Sequence, residues 1–444
     1  MRKNLVLIFC LLFFTRVNAQ RLLTEEEAIA TALANNYDIR LAQNDSIAAA
    51  IDYSYRNAAL LPRLNANLGT TWNNNNVKQV LADGTKRESS GLKSNNIQAQ
   101  LALNWTLFDG LKMFVTRDKL EEFIRLGELS IRNQVVNTVA DVINTYYNIV
   151  RQKQQLLAIR EQMGISQERV KLAEYKLDIG VGAKPDVLQS RIDLNSLRAQ
   201  ELEQERLIAQ LKEELNQLMN PPGGIKDVPA GTTYEVSDSI PINHGLLLGD
   251  IQAGIERNNP TLQIAKKNID IANLSLRERR AERWPVVAFN SAYNFNRVEN
   301  QAVINNFSTL FNRNQGFNYG LTASIPIFNN FNTRRLIRQA QNDIVYQQLF
   351  FDYQKSLVSL SVFNAWKAYE QARMALLLEE ENILLARENV NIIFQVYRLN
   401  STTLIQLKEA QRSLQEAYTR LITARYTTKV AETELLRLQG ELVK

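Results

Sequence analysis

The sequence predicts a mainly helical fold with four β-strands, arranged as two tandem copies of one order of elements. Duplicated landmarks are the first observation: Asn35-Asn36-Tyr37 stands as far ahead of Pro62 as Asn258-Asn259-Pro260 stands ahead of Pro285. The second is that alternation with a period of two is confined to four segments, and the third is that helical periodicity fills most of the rest. A repeated order of helix, strand, strand and long helical hairpin favours an architectural protein over an enzyme with a single cleft.

The N-terminal residues have the order of a signal peptide. Met1-Arg2-Lys3 is basic, Leu5–Phe14 is apolar, and Val17-Asn18-Ala19 supplies small residues for cleavage. We therefore expect a signal peptide over residues 1–19 and an exported mature chain that begins near Gln20. The apolar segment is too short for a transmembrane anchor, which needs ~20 residues.

Residue types that carry catalysis are scarce. Cys10 is the sole cysteine and lies in the predicted signal peptide, and His244 is the sole histidine, in a linker-like stretch. The sequence therefore predicts no catalytic, cofactor-binding or metal-binding residues, and we do not expect an enzyme. The formal charge is +6, with basic and acidic residues intermixed along the helices, which indicates a solvated surface rather than a nucleic-acid-binding patch.

Four segments alternate apolar and amide-bearing side chains, as strands with one apolar face do. Their apolar positions lie within Leu64–Trp72, Ile97–Leu107, Val287–Phe295 and Phe317–Ile327. These lengths match strands that cross an outer membrane at a tilt, which need ~9–11 residues. Trp72, Trp105 and Trp284 suit the aromatic girdles at the two membrane surfaces.

Four strands are too few to close a membrane barrel, because the smallest known barrels use about eight. An open edge in lipid would leave backbone groups unpaired, so closure must come from other copies of the chain. A dimer with eight strands and a trimer with twelve both satisfy the arithmetic, and a lumen wide enough for solutes favours the larger ring. We expect the polar segments Asn73–Asn96 and Arg297–Gly316 to be long exterior loops.

Long helical stretches follow each pair of strands. Leu111–Ile179 contains no proline, and at 1.5 Å per residue it would span on the order of 100 Å. Apolar residues spaced by three and four predict coiled-coil packing. They are Val136, Val139, Ile143, Tyr146 and Val150 here, and Leu414, Ala417, Leu421, Ala424, Thr428, Ala431, Leu435 and Leu438 near the C-terminus.

The predicted domain organisation follows the duplication. A first repeat over 20–220 holds a helix, a β-hairpin over 62–108 and a helical hairpin over 109–219; a linker covers 221–245; and a second repeat over 246–444 holds a helix, a β-hairpin over 285–328 and a helical hairpin over 330–440. Helices near 22–60 and 185–219 should stack beside the long one of the first repeat, and those near 246–283 and 403–439 beside 331–398. Each protomer would then carry four helical columns.

Two segments in the duplicated order are specific enough to indicate a family. Tyr175–Gln189 holds a glycine-containing turn followed by a helix that opens Asp186-Val187-Leu188, and Val396–Gln411 is its counterpart. Together with Phe108-Asp109-Gly110 and Trp284-Pro285, they make the mature chain resemble the TolC family of outer-membrane efflux and secretion channels. The resemblance implies a homotrimer in which a twelve-stranded outer-membrane β-barrel stands on a periplasmic α-barrel of long coiled-coil hairpins.

The resemblance also implies partners and a mechanism. Such channels are passive conduits that work with a periplasmic adaptor (membrane fusion) protein and an inner-membrane pump or ABC transporter. The adaptor is expected to dock on the two helix turns, whose residues are Gly180, Val181, Gly182, Asn400 and Ser401. Glycine and asparagine tolerate the left-handed backbone that a sharp reversal requires.

Four residues match the constriction and gate of the family. Glu409 and Gln406 lie three apart on one helical face, and three-fold symmetry would arrange three Glu409 carboxylates as a ring that favours cations. Gln406 stands where the family commonly has an acid, so the entrance should be less electronegative. Tyr397 resembles a gate tether, and Asp186 lies in its counterpart region. The alternative for Glu409 is an ordinary solvated charge.

The expected function is therefore the outer-membrane channel of a tripartite efflux pump or of a type I secretion system. The alternative, a secreted coiled-coil adhesin or surface stalk, explains the helices but not four amphipathic strands in two duplicated hairpins. The sequence does not name the transported substrate, because a passive conduit imposes little specificity.

Overall fold

The computed structural model describes residues 21–221, 234–243, 245–302, 309–399 and 401–442. The predicted signal peptide, His244 and Asn400 lie outside these residues. The chain divides into two compact units, each assembled from separate parts of the sequence. The helical unit comprises Met1–Asp45, Gly127–Ile264 and Phe351–Lys444, and the sheet unit comprises Ser46–Leu126 and Ala265–Phe350.

The helices of the described residues form two matching sets. They are α1 (Glu25–Asn35), α2 (Tyr37–Ser54), α3 (Lys112–Asp178) and α4 (Lys184–Met219), then α5 (Leu248–Asn258), α6 (Pro260–Ala281), α7 (Asn332–Arg398) and α8 (Leu404–Gln439). α3 and α7 have 67 residues each, α4 and α8 have 36, and α1 and α5 have 11. Every residue of α3 and α4 thus has a counterpart 220 positions later, as Lys112 has Asn332.

None of the helices in the described ranges combines the length and the hydropathy that crossing a membrane requires.

An asparagine divides each of the helices expected near 22–60 and 246–283 into two, which corrects the single helix predicted in each place. Asn36 separates α1 from α2, and Asn259 separates α5 from α6. In each case the side-chain Oδ1 accepts backbone N–H groups from the first turn of the following helix, at 2.8 to 3.2 Å. This capping offsets the loss of helical hydrogen bonds at the break.

The same two asparagines also fasten the break to a neighbouring helix. Asn36 Nδ2 donates to the carbonyl of Leu218 near the end of α4 at 2.8 Å, and Asn259 Nδ2 donates to the carbonyl of Leu438 near the end of α8 at 2.8 Å. Both side chains are buried, with 3% and 4% of their surface exposed. The duplication therefore extends to individual hydrogen bonds.

The apolar stripes form the core of the helical unit, as the sequence predicted. Every stripe position on α3 and α8 is at least nine-tenths buried. The α3 stripe packs against Leu211 and Leu215 of α4, and the α8 stripe packs against residues of α7 such as Tyr369 and Leu376. A fully buried aliphatic or aromatic side chain contributes about 1.5–3 kcal/mol, so these stripes stabilise the packing of α3 on α4 and of α8 on α7.

A short parallel pair of strands, which the sequence did not predict, joins the start of the chain to the inter-repeat segment. β1 (Arg21–Leu23) pairs with β4 (Tyr234–Val236). Tyr146 of α3 is hydrogen-bonded to both segments of this pair. Its hydroxyl donates to the carbonyl of Leu23 at 2.9 Å and accepts from the backbone N–H of Ser237, which follows β4, at 3.1 Å.

The sheet unit contains an antiparallel sheet of four strands. They are β2 (Arg63–Val80), β3 (Lys86–Phe108), β5 (Val286–Asn300) and β6 (Phe311–Ser324), in the lateral order β2-β3-β5-β6. The two hairpins of the duplicated halves therefore join through β3 and β5. β2 and β6 are the edges of the sheet.

The strand register keeps the predicted faces separate across all four strands. One apolar row consists of Ala66, Leu101, Tyr293 and Phe317, and the adjacent row consists of Asn67, Gln100, Asn294 and Gly316. Within the second row, Gln100 Nε2 donates to Asn294 Oδ1 at 3.0 Å. One face is apolar and the other is rich in amides, as the alternation predicted.

The loop predicted over 73–96 is wrong over most of its length, and the one predicted over 297–316 is wrong at both ends, where strands stand instead. β2 and β3 continue together to a tight turn at residues 81–85, with Lys78 Nζ and Glu88 Oε2 at 3.0 Å across the pair. β5 likewise continues to Asn300, and β6 begins at Phe311. Antiparallel pairing uses backbone groups, so an asparagine-rich composition does not exclude a strand.

Candidate functional site

The first helix turn, between α3 and α4, depends on its two glycines. Gly180 has φ +77°, a left-handed conformation that glycine adopts without steric cost. A Cβ on Gly182 would lie 2.7 Å from Leu177 N and 2.8 Å from Lys176 C. The carbonyl of Lys176 accepts the backbone N–H groups of Val181 and Gly182 at 3.0 and 2.8 Å. Larger residues at either glycine would force this reversal open.

The second helix turn, between α7 and α8, uses a different solution. Ser401 N donates to the carbonyl of Val396 at 3.1 Å, and the helix that follows begins at a threonine N-cap, Thr403. Asn400, the predicted left-handed residue of this turn, lies outside the described residues. Its place in the turn therefore stays a prediction.

Gln406 closes a capping box at the start of α8. Its backbone N–H donates to Thr403 Oγ1 at 3.3 Å, and its Oε1 accepts the backbone N–H of Thr403 at 3.3 Å and the hydroxyl of Thr402. The side chain is thus folded back on its own helix. The pattern Thr403-x-x-Gln406 was present in the sequence and predicts this box, but the sequence reasoning considered Gln406 only as a constriction residue.

Glu409 stands on the exposed side of α8. Leu407 and Ala410 beside it are buried, while Glu409 is exposed. Within the described part of the chain its carboxylate has neither a hydrogen-bond nor a salt-bridge partner. A carboxylate that the subunit leaves unpaired is free to face a lumen or bulk solvent.

Tyr397 anchors the end of α7 to the end of α3 through a lysine that the sequence reasoning did not single out. Lys176 Nζ donates to the carbonyl of Tyr397 at 3.0 Å and lies 4.0 Å from the centre of its ring. The tyrosine is 6% exposed. This contact joins the two helical hairpins directly behind their turns.

Asp186 belongs to the same electrostatic environment. Burial raises the pKa of Tyr397, the negative charge of Asp186 raises it further, and the charge of Arg169 opposes the shift. Burial lowers the pKa of Lys176, and Asp186 partly counteracts this. The structure therefore brings two of the four predicted gate residues, Tyr397 and Asp186, to one place, with Lys176 between the hairpins.

A buried polar cluster, here called the Arg169 cluster, lies deeper along the same helices. Arg169 of α3 is 3% exposed at its side chain and donates from Nη2 to Asp193 Oδ2 of α4 at 2.6 Å. Its Nη1 donates to Gln411 Oε1 of α8 at 2.8 Å, and Lys408 Nζ reaches Asp193 Oδ2 at 3.2 Å. Three helices from both halves of the chain meet in these four side chains.

The protonation of Asp193 follows from these contacts. Burial would raise the pKa of its carboxyl, but hydrogen bonds from Gln189 and Lys408 and the charge of Arg169 outweigh burial and hold the pKa below its ordinary value. Asp193 is therefore ionised at neutral pH, and the Arg169 cluster holds α3, α4 and α8 together through charge-assisted hydrogen bonds.

The sequence offered one signal for this cluster. Arg169 and Asp193 lie equally far from Val181 on opposite sides of the turn, so an antiparallel hairpin must place them side by side. Gln411 and Lys408 come from the other hairpin, and their approach could not be inferred from spacing along the chain.

No group of three or more histidine, cysteine, aspartate or glutamate side chains in the described residues is arranged to hold a metal ion.

Comparison with known proteins identifies the family. The family model described as outer membrane efflux protein matches residues 28–221 and 254–441, which is one segment from each half and most of the chain. Outer membrane efflux protein BepC of Brucella suis is 21% identical over 357 residues, covering 77% of this chain and 72% of BepC. Alkaline protease secretion protein AprF of Pseudomonas aeruginosa is 25% identical over 334 residues, covering 72% of this chain and 66% of AprF.

The fold is also that of a solved channel. The crystal structure of the Campylobacter jejuni CmeC outer membrane channel superimposes with a TM-score of 0.75 at 16% identity, covering 95% of this chain and 86% of that one. The resemblance to TolC-type channels is thereby confirmed, and nothing in these matches supports an adhesin or stalk. The chain belongs to the outer membrane efflux protein family.

Proposed function

We propose that the chain is one subunit of a homotrimeric, passive conduit through the outer membrane, serving a tripartite efflux pump or a type I secretion system. The observation that carries this proposal is the four-stranded sheet, apolar on one face and open at both edges. Family membership supports the membrane and the transport role. The names of BepC and AprF, an efflux protein and a protease secretion protein, support the two kinds of system.

The apolar face of the sheet fits the thickness of a bilayer. Along β5 the apolar face extends from Val287 to Phe295. The next residue on the same face is Arg297, which lies beside Arg313 of β6. Nine residues rise about 30 Å along the strand, which a tilted strand in a ~25 Å apolar band requires. Tyr293 and Phe317, near the middle of the band, are 48% and 65% exposed in the isolated chain. We assign these side chains to the lipid.

The open edges require further copies of the chain. β2 and β6 each have a strand partner on one side only within the described sheet. Unpaired backbone groups in lipid cost several kcal/mol each, so β6 of one copy is proposed to pair with β2 of the next. Three copies give twelve strands, and this ring leaves an aqueous lumen where eight strands would be filled by side chains.

A disulfide experiment tests the closed ring. The predicted mature chain has no cysteine, which gives a clean background. Thr70 of β2 lies on the same face of the sheet as Arg313, Gln315 and Phe317 of β6, so Thr70→Cys is combined in turn with Arg313→Cys, Gln315→Cys and Phe317→Cys. Membranes oxidised with copper phenanthroline should yield a covalent trimer without reductant for the pair in register. The same pairs giving only monomer, or chains of indefinite length, would sink the proposal.

The gate is proposed to lie at the two helix turns, with the adaptor docking on Gly180–Gly182 and on the turn at Ser401. Lys176 and Tyr397 hold the two hairpins together behind the turns, so opening requires this contact to separate. Lys176 contacts the backbone carbonyl and the ring of Tyr397, and Tyr397→Phe keeps both. Tyr397→Phe should therefore leave the open fraction of single channels unchanged, whereas Lys176→Met should raise it. An open fraction that Lys176→Met leaves unaltered would remove this contact from the gate.

Glu409 is proposed as the charged ring of the entrance. In a trimer its unpaired carboxylate would recur three times around the axis and favour cations. Glu409→Gln should lower the cation preference measured from the reversal potential in a salt gradient. Glu168→Gln, on an exposed residue of α3 that is paired with Lys171, is the matched control. Equal reversal potentials for the two variants would mean that Glu409 is an ordinary surface charge. Gln406 stays a predicted constriction residue, although its side chain is engaged in the capping box.

A further inference from the structure

Three arginines near the start of α7 form a positively charged pocket in the sheet unit. In the described residues none of them has a salt-bridge partner, and the side-chain hydrogen bond that this group makes runs from Arg335 Nη2 to Asn332 Oδ1 at 2.8 Å. The pocket has a volume of about 640 Å³ and is lined by Phe331, Arg334, Arg335, Arg338, Gln339 and Asn342.

The surrounding sequence supplies no carboxylate to neutralise these arginines. Between Glu299 and Asp343 the chain has no aspartate or glutamate, while it has four arginines, of which three line the pocket. This absence is unusual in a chain in which basic and acidic residues are otherwise nearly equal in number, 52 against 46. Residues nearby in the sequence therefore do not neutralise the positive charge of the three arginines.

The equivalent position in the first half shows how basic residues there are neutralised. At the start of α3, Lys112 Nζ lies 2.9 Å from Glu282 Oε1, and Lys119 Nζ bonds to Glu278 Oε2. Both acids come from the end of α6 and the residues just after it. Each lysine thus has a carboxylate from the element that packs beside it.

The duplication places no such acids opposite α7. The elements of the first half that precede the strands match those of the second at a spacing of 223 residues, as Asn36 matches Asn259. By this spacing Glu278 and Glu282 correspond to Tyr55 and Ala59, which carry no charge. A neighbouring copy that covered α7 as α6 covers α3 would present these two residues, not a pair of carboxylates.

The chain between β6 and the arginines is apolar and exposed. Ile327, Phe328 and Phe331 are 94%, 69% and 64% exposed, and the two phenyl rings meet edge to face at 5.3 Å. Along this part of the chain an apolar strand is followed by exposed aromatic residues and then by basic residues. A membrane protein has the same order where it passes from the acyl chains through the interface to the headgroups.

We propose that Arg334, Arg335 and Arg338 bind the phosphate of an anionic glycerophospholipid at the inner surface of the outer membrane. The proposal rests on the proposed function, because it requires β6 to lie in the bilayer. Guanidinium groups bind phosphate oxygens through paired hydrogen bonds, and the pocket is wide enough for a headgroup. Phe328 and Phe331 contact the acyl chains beside it, which a free phosphate ion lacks.

A lipid titration tests the assignment. The purified full-length protein is titrated in detergent with phosphatidylglycerol, with phosphatidylcholine or with inorganic phosphate, and the bound adducts are counted by native mass spectrometry. The protein should bind phosphatidylglycerol in preference to the other two. Arg334→Gln/Arg335→Gln/Arg338→Gln should bind it at least about tenfold more weakly, since each basic side chain at an anionic surface contributes a factor of roughly five. Phosphatidylcholine binding should not change.

The matched control removes three exposed positive charges elsewhere. Lys171→Gln/Arg206→Gln/Lys367→Gln alters side chains that are 71%, 61% and 60% exposed and should keep the preference for phosphatidylglycerol. If the triple arginine variant does not fold, Arg334→Gln and Arg338→Gln are measured singly, and each should weaken binding several-fold. Undiminished binding in these variants overturns the proposal.

Two other outcomes also overturn it. Binding of inorganic phosphate as tight as that of phosphatidylglycerol would identify a site for a soluble anion. Asp52 of α2 lies about one helical turn before Tyr55. Loss of the trimer in the arginine variants, restored by Asp52→Asn, would show that the arginines pair with Asp52 of another copy. Conductance in planar bilayers separates this proposal from the proposed function. A protein that inserts and conducts but lacks lipid preference contradicts only the lipid site, and one that never inserts contradicts both.

Discussion

The two halves of the chain have helices of equal length, except for α2 and α6, but use different side chains at many equivalent positions. Where the residue type is kept, as for Asn36 and Asn259, the hydrogen bonds are also kept, and these positions hold the fold. Where it differs, the contacts around the turns differ: Arg169 and Asp193 of the first half correspond to Asn389 and Ser413 of the second. The duplication explains the scaffold, and these exceptions lie in the proposed gate region.

The largest expected effect comes from removing the ion pair of Arg169 and Asp193, which the first half has and the second half lacks. Arg169→Leu should destabilise the contact of α3 with α4 and α8 by about 3 kcal/mol, because it leaves Asp193 partly buried without the guanidinium group that now lies 2.6 Å from its carboxylate. Hydrogen exchange of the backbone amides near residues 165–195 should rise accordingly. The open fraction of single channels should also rise.

Asn389→Leu is the matched control for this prediction. It changes the counterpart of Arg169, an exposed residue of α7 around which the described residues form no such cluster, and should change the free energy of exchange by less than about 0.5 kcal/mol, as expected of a surface substitution. Similar exchange rates in the two variants would mean that the halves are stabilised alike. The Arg169 cluster would then give the first half no stability that the second half lacks.

The second prediction concerns a position that both halves share. Asn36→Ala and Asn259→Ala each remove an N-cap and a buried hydrogen bond to a helix carbonyl, at a cost of about 2 kcal/mol. The protection of amides at the starts of α2 and α6 reports the loss. The two values should agree to about 0.5 kcal/mol, and a difference much larger than this would show that the duplicated hydrogen bonds are not equivalent in energy.

Much of this architecture was predictable because the spacing of apolar and polar residues along the chain determines it. The buried stripe through Val139 and Tyr146, the glycines of the first turn and the alternation of the four strands all follow from local pattern. The continuation of the strands past Asn73 was not predictable. Backbone pairing stabilises the strands there, and polar side chains do not distinguish a paired strand from a loop. Nor was the approach of Gln411 to Arg169, since it joins residues from separate hairpins whose packing no local signal encodes.

A third, smaller effect compares the two helix starts that follow the turns. α8 begins at Thr403 with a capping box, whereas its counterpart in α4 is Ala183, which makes no side-chain cap. Thr403→Ala should cost about 1 kcal/mol, and Ala183→Thr should add a somewhat smaller amount of stability to α4. Exchange of the amides in the first turn of each helix measures both. Changes of the same sign in the two variants would contradict the assignment of these caps.

The smallest expected effect is the pH dependence of the Arg169 cluster. The folded pKa of Asp193 lies below its ordinary value, so its contribution to stability is complete at any pH above the ordinary carboxyl pKa and is lost as the pH falls through the lower, folded value. Stability should therefore be unaffected by this group between pH 7 and about 5 and should decline in more acidic solution. In Asp193→Asn this part of the decline should be missing, so that its thermal midpoint converges on that of the unmodified chain in acid. Ser413→Ala, at the counterpart position, should leave the pH profile unchanged. A decline that is the same with and without Asp193 would show that other carboxylates dominate, and that the first half owes no acid sensitivity to its extra ion pair.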